Sequence, residues 1–374
     1  MSGDLLLTGS TGFVGMELLA RALERTDRRV TALVRAASAD AARARIDGVL
    51  DDLFGTRARE YRQRVRAVAG DLLAPGLGLD GRTRDELAER TTTLVHSAAS
   101  VSFTLPLAQA RAVNVEGTRH VVELAEHAAR RGGLDCYGHI STAYVAGDHS
   151  GRFDERALDV GQDFRNSYEQ TKFEAERLVR ERELPARILR PSIIVGDRHS
   201  GWTAAFNVLY WPLRALSRGL FSAIPADPAS PVDAVSVDYV ADAVHTLVHD
   251  PAPVAEGGET YHLIAGRKAA RLGDLCAAAS RYFGRPGPQV LAPEQFAALP
   301  ATSVAADSVL ETGRIYFPYF MVASEFSDEL TRARLEPAGI RVSPLSDYLE
   351  RLLDFATRSR WGKLRIARAQ ALAV

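Results

Sequence analysis

A chain of 374 residues with 46% hydrophobic and 25% charged residues has the length and make-up of a globular protein with one large core, or a core with a smaller attached domain, and not of a disordered one. Its formal net charge of −1 gives no overall pull toward nucleic acid or an acidic membrane surface. No apolar run reaches membrane-spanning length, no signal peptide fits ahead of Leu5, and Cys136 and Cys276 match no metal or redox spacing, so a soluble cytoplasmic protein with inert core thiols is expected.

The first candidate strand, Leu5–Thr8, runs straight into Gly9, Gly12 and Gly15, and an amphipathic helical pattern starts at Phe13. Glycine tolerates positive φ and admits close backbone approach. A strand, a glycine turn and a helix N-terminus together form an anion site. The Gly-x-x-Gly-x-x-Gly spacing is one residue wider than the common dinucleotide fingerprint. Without its context the triplet would be a mere turn.

The second strand, Val30–Val34, ends in Arg35, twenty positions past Gly15. An acidic residue here would bond the ribose hydroxyls of NAD, whereas an arginine accommodates the 2′-phosphate of NADP. NADPH is therefore expected, with Arg43 or Arg45 as a second contact. A third strand, Val65–Ala69, precedes the GDL of Gly70–Leu72, where Asp71 is placed to accept from the adenine amino group. A fourth, Thr93–His96, precedes Ser97, Ala98, Ala99 and Ser100, small residues that let the chain approach the cofactor.

After a helix over Thr118–Arg130, a fifth strand, Tyr137–Ser141, carries Ser141 and Thr142 to the sheet's carboxyl edge. A hydroxyl there suits an oxygen on which negative charge develops. The following segment NSYEQTKFEAERLV holds Tyr168 and Lys172, four apart and on one helix face. An ordinary phenol titrates near pH 10. A nearby ammonium and a bound nicotinium would lower it toward useful acid–base work. Such a pair also occurs as a plain surface pair on amphipathic helices. Yet lysine is rare here, at Lys172, Lys268 and Lys363 only. The sixth strand is Ile188–Pro191.

Strand–helix alternation breaks after Gly196. GWTAAFNVLYWPLRALSRGLF is aromatic-rich, and its Phe206, Tyr210 and Trp211 line an acyl channel or pack a cap. The run IPADPASP reads as a loop, Asp238–Val248 as a helix and Glu259–Ile264 as a strand. Beyond Gly266 the pattern is helical and irregular, with an aromatic cluster YFPYF and a tail, WGKLRIARAQALAV, that fits a terminal helix or a disordered end. Arg214, Arg218, Arg267, Lys268 and Arg271 are candidates for the phosphates of coenzyme A or an acidic carrier protein, or solvated surface charges. The expected fold is α/β, a doubly wound parallel Rossmann sheet over residues 1–198 and 232–266. A smaller, mostly helical substrate-binding cap is expected over 199–231 and 267–374.

The motifs TGSTGFVG, ALVR, GDL, HSAASVSF, NVEGT, ISTAYVAG, YEQTKFEAE and RPSIIVG together resemble the extended short-chain dehydrogenase/reductases. HSAASVSF and RPSIIVGDRHSGW make the chain most similar to the thioester-reductase branch, which includes fatty acyl-CoA reductases and the reductase domains of carboxylic acid reductases and nonribosomal peptide synthetases. The resemblance implies Thr142, Tyr168 and Lys172 as catalytic residues. It implies an NADPH site of Gly9, Ser10, Thr11, Gly12, Phe13, Val14, Gly15, Arg35, Arg45, Asp71, Leu72, Ser97, Ala98, Ala99, Tyr168, Lys172, Pro191, Ser192 and Ile193. Asn114, counted with that site, would order a helix or hold water. The implied reaction is NADPH-dependent reduction of an acyl thioester, brought in on coenzyme A or a discrete acyl-carrier protein, to an aldehyde, the end point being either that aldehyde or the alcohol that a second hydride would give. Two rivals share these residues: an NDP-sugar epimerase, dehydratase or carbonyl reductase, and a non-catalytic NADP-binding module.

Overall fold

In a computed structural model, which describes residues 3–206, 208–299 and 307–373, the chain builds a seven-stranded sheet. The strands are β1 (Asp4–Thr8), β2 (Val30–Arg35), β3 (Val65–Gly70), β4 (Thr91–His96), β5 (Cys136–Ile140), β6 (Ala186–Pro191) and β7 (Glu259–Leu263). All neighbours are parallel, in the order β7-β6-β5-β4-β1-β2-β3. The order reverses between β1 and β4, and ligands of such sheets bind at that switch, beyond the strands' carboxyl ends.

Side-chain alternation explains the two covered faces. Leu5 and Leu7 of β1 join one core with helices α1 (Phe13–Arg25) and α2 (Ala39–Phe54). Leu6 joins the opposite core with α3 (Gly81–Arg90), α4 (Gly117–Arg131) and α5 (Ser167–Arg180). Leu6 and Leu7 are both fully buried, each worth roughly 1.5–3 kcal/mol.

The remaining helices are α6 (Tyr210–Ser217), α7 (Val237–Val248), α8 (Leu272–Phe283), α9 (Asp307–Tyr316), α10 (Glu329–Leu335) and α11 (Leu349–Arg358). Helix α7 returns to the sheet and packs on α1. Helices α6, α8 and α11 and the turn Phe317–Phe320 form a separate apolar cluster. That cluster meets the sheet domain through Tyr144, Ile193 and Val195.

One expectation changes. IPADPASP is not all loop: Ala223–Pro225 is a strand paired in parallel with Gln289–Leu291, a partner 66 positions away by register that no local pattern announces. Of the two readings of the tail, the structure shows a terminal helix, Arg368–Ala371, and Trp361 at the tail's start packs against the apolar cluster of α6, α8 and α11. Arg368 lies against Glu17 of α1 at 2.5 Å, and Ala371 joins the sheet-domain core. Asn207, in the aromatic stretch, and residues 300–306 of the cap lie outside the described residues. Among the described residues no helix is long and apolar enough to cross a membrane, and no cluster of potential metal ligands occurs.

Candidate active site at the sheet's carboxyl edge

Two of the three glycines answer to close backbone approach, and the third starts the helix. Gly9 has φ +76°, and a Cβ there would come within 2.6 Å of the Ala98 backbone nitrogen. At Gly15 a Cβ would collide with the Gly9 carbonyl oxygen, so its absence lets α1 pack on the end of β1. Gly12 is the N-cap of α1, and its N–H donates to the Gly9 carbonyl at 2.9 Å.

No side chain caps α1, whereas Ser38, Asp80 and Asn166 cap α2, α3 and α5. The first-turn N–H groups of α1 are therefore left for a ligand, and its first turn carries no acidic residue. Beside them the Ser10 hydroxyl is buried without a partner among the described residues. These features fit the pyrophosphate of a dinucleotide.

Thr11, Arg35 and Arg45 come together beyond β2. Arg45 donates to the Arg35 carbonyl through one nitrogen and to the Thr11 hydroxyl at 3.4 Å through another. The Arg35 guanidinium is exposed and has no partner among the described residues. Arg43, the alternative to Arg45, is engaged instead with Asp47 and the carbonyls of Val65 and Arg62. Gly70 pairs in register with Arg35, which puts Asp71 on the neighbouring strand end. One Asp71 oxygen accepts from the Leu73 N–H at 3.0 Å. Leu72 packs over Gly117, and its carbonyl meets His120 Nδ1. The N–H groups of Ser97 and Ala98 both donate to the Thr8 hydroxyl at 3.2 Å, pinning that loop over Gly9.

Asn114 sits elsewhere than a cofactor residue would. It is 2% exposed, on a π turn ahead of α4, outside the cavity wall. Its amide bonds both the N–H and the carbonyl of Ser100, at 2.8 and 3.0 Å, and donates to the Thr171 hydroxyl at 3.0 Å. It ties the loop after β4 to α5 and so orders the site from behind.

Thr142, Tyr168 and Lys172 face one cavity of about 500 Å³, together with Gly9, Gly12, Phe13, Val14, Gly15, Ser97, Ala99, Pro191, Ser192 and Ile193. Asn166 accepts the Glu169 N–H at 3.0 Å, which starts α5 where Tyr168 falls on its first turn. Burial pushes the Tyr168 phenol up to about 12, only partly offset by its hydrogen bond with the Thr142 hydroxyl. Among the protein's own groups burial sets this direction, without the bound nicotinium that the expected lowering also requires. The Lys172 ammonium donates to the Ile140 carbonyl at 2.6 Å. Burial pulls it down to about 8 against the attraction of Glu176.

Beneath these residues lies a group the motifs do not announce. Glu176 and Arg190 are fully buried and paired at 2.6 and 3.0 Å, and the Ser141 hydroxyl donates to Glu176 at 2.8 Å. Burial works against the Glu176 charge, but Arg190 holds the carboxyl below its usual range. Arg190 also reaches His262 on β7 and the Ala157 carbonyl. Breaking such a pair costs about 3–5 kcal/mol. The available signals were an arginine inside an apolar strand and a glutamate four residues after Lys172 on the same helix face.

The far wall of the cavity is apolar and aromatic, with Val101, Phe103, Tyr144, Phe206, Val208, Ile315, Tyr316 and Tyr319. Lys172 is the one charged side chain among the described residues lining the cavity.

The family profile of the male sterility protein matches residues 7–244. A carboxylic acid reductase of Mycobacterium marinum is 30% identical over 70% of this chain, and an isonitrile lipopeptide synthase of Streptomyces coeruleorubidus is 36% identical over 67% of it. The chain spans only 24% and 17% of those relatives. Among solved structures, the terminal R domain from the myxalamid PKS-NRPS biosynthetic pathway superposes with a TM-score of 0.82 and 27% identity, covering 98% of this chain and 93% of that one. On the profile match, the shared fold and these relatives, the chain belongs to the male sterility protein family, within the NAD(P)-binding, thioester-reductase-like branch of the extended short-chain dehydrogenase/reductases.

Proposed function

We propose that the chain reduces an acyl thioester, presented by coenzyme A or an acyl-carrier protein, to an aldehyde with NADPH, and takes the aldehyde on to an alcohol after nucleotide exchange. The observation that carries this reading is the single cavity that meets the glycine turn on one side and an aromatic wall on the other, with Thr142, Tyr168 and Lys172 between. Arg35, Arg45 and Thr11 would hold the 2′-phosphate, and the uncapped first turn of α1 the pyrophosphate. Bound there, the nucleotide supplies the hydride.

The protein's part is to hold the carbonyl and move a proton. Thr142 and Tyr168 bond the substrate oxygen. Tyr168, protonated at neutral pH because burial raises its phenol, donates its proton as negative charge develops there. The tetrahedral intermediate then collapses: its hydroxyl returns the proton to the Tyr168 oxygen as the C–S bond breaks, leaving the aldehyde, and the departing thiolate takes a proton from solvent to become the thiol. Lys172, anchored on the Ile140 carbonyl, presents its remaining N–H groups to the nicotinamide ribose. The apolar far wall favours an acyl chain over a sugar, whose hydroxyls would lose their water without gaining partners.

The test mixes the purified protein, NADPH and a panel of acyl-CoA and acyl-pantetheine thioesters, following NADPH absorbance and free thiol together. Matched loss of NADPH and release of thiol is expected. NADPH loss with free aldehydes only, without thiol from any thioester, overturns the reading in favour of a carbonyl reductase.

A further inference from the structure

Tyr319 lies in the turn Phe317–Phe320 directly after α9 and is 2% exposed. Its phenol oxygen accepts from Asn166 Nδ2 at 2.8 Å. Asn166 caps α5 by accepting the Glu169 N–H, and Glu169 accepts the Arg165 N–H at 3.0 Å. Tyr168 sits within this ring of bonds. The Tyr319 ring stacks on Phe103 at 5.0 Å, and Phe103 in turn lies 5.6 Å from the Tyr168 ring. Edge-on at 5.0 Å is Tyr144, whose N–H donates to the Thr142 hydroxyl at 3.3 Å. One cap side chain therefore backs both Tyr168 and Thr142, each through a single intermediate residue.

The same run of chain also forms the acyl wall. Ile315 and Tyr316 line the cavity four and three residues before Tyr319. A phenylalanine at 319 would fill the same volume. What the hydroxyl adds is a bond to the first turn of α5, and a buried hydroxyl is costly unless so engaged.

Building on the acyl-thioester reading, we propose that Tyr319 is a positioning residue that couples acyl-chain occupancy to the placement of Tyr168 and Thr142. A chain long enough to lean on Ile315 and Tyr316 seats the turn Phe317–Phe320 and with it the first turn of α5. A two-carbon acyl group does not reach that wall and draws no benefit from the coupling.

The test compares wild-type protein with Tyr319→Phe on acetyl-CoA and dodecanoyl-CoA at saturating NADPH, with kcat and KM separated. Wild-type kcat is expected to be about tenfold higher on the long chain, since a small misplacement of reacting groups is enough for such a factor. In Tyr319→Phe that ratio falls to about one, because long-chain kcat drops by more than acetyl-CoA kcat, with the NADPH Kd within about twofold of wild type. Asn166→Ser keeps an N-cap acceptor but removes the donor to Tyr319, so it should collapse the ratio in the same way and stands in should Tyr319→Phe fail to fold. An unchanged ratio in a folded variant overturns the proposal, as does a wild-type ratio near one. A proportional loss on both substrates with a lower Tm marks a merely structural residue and also overturns it. A wild-type protein that turns over no thioester defeats the functional reading itself and this coupling with it, whereas the ratio in an active enzyme judges the coupling alone.

Discussion

At one end of the cavity the wall is backbone: three glycines, an uncapped helix N-terminus and strand ends whose positions follow from the sheet. At the other end it is side chain: rings from the loop after β4, from the segment after Gly201 and from α9 and the turn behind it. The first kind of site is fixed by covalent geometry and tolerates little change. The second is fixed by packing, where a volume-conserving replacement usually costs less than about 1.5 kcal/mol. A chain made this way can keep its cofactor chemistry constant while its acyl preference drifts.

The sharpest break between the two ends is expected at the residue where they meet. Tyr168→Phe removes the proton donor and leaves the ring, so turnover should fall by roughly 10²–10⁴ while NADPH titrated by fluorescence binds almost as before. A joint loss of binding and turnover would mean that the phenol belongs to the nucleotide end instead.

A second break tests whether the nucleotide end stands on its own. Arg368, far along the chain, pairs with the fully buried Glu17 of α1 at 2.5 Å, and Arg21 shares that carboxylate at 3.1 Å. Arg368→Ala leaves Glu17 with one partner in place of two. The expected loss is about 3 kcal/mol, the low end for a broken buried pair. Chemical denaturation reads it directly, and a loss under about 0.5 kcal/mol would make the tail a bystander.

These contrasts also separate what was legible in the sequence from what was not. The strands, their carboxyl-edge loops and the cluster of Thr142, Tyr168 and Lys172 follow from period, glycine placement and chain order, all local signals. The sequence leaves Arg43 and Arg45 as alternatives for a second contact, and that Arg43 is taken up by the Val65 and Arg62 carbonyls is a tertiary fact. So is the pairing of Ala223–Pro225 with Gln289–Leu291, and so is the docking of the tail on α1. For Asn114 the resemblance implies a helix-ordering or water-holding residue, but that its amide serves Ser100 and Thr171 is fixed only when α4 and α5 pack. The burial that raises the Tyr168 phenol is equally a tertiary fact, set by everything packed around the ring.

A smaller effect sharpens the nucleotide end further. Arg35→Asp exchanges a free guanidinium for a carboxylate at the place proposed for the 2′-phosphate. The loss of one charge-assisted bond, roughly 1.5–3 kcal/mol, corresponds to a ten- to hundredfold weaker NADPH Kd with NADH little changed. Calorimetry with both nucleotides measures the ratio. An unchanged preference would remove Arg35 from the site and leave the choice of nucleotide to Thr11 and Arg45.

The mildest test uses pH alone. Tyr168, held up near 12, keeps its proton throughout the working range, whereas Lys172, pulled down to about 8 by burial, loses its charge within it. As pH rises through about 8 the ammonium becomes an amine, and its hold on the ribose weakens. Accordingly kcat/KM for NADPH should fall to about half its plateau near pH 8 and about tenfold lower one unit above, as a single ionisation requires. The residual activity of Tyr168→Phe supplies the control, since it lacks the phenol but keeps the lysine. If its alkaline limb coincides with that of the wild type, the titrating group is Lys172. A limb that disappears with the phenol would assign the titration to Tyr168, and would mean that the cation overcomes burial once the nucleotide is in place.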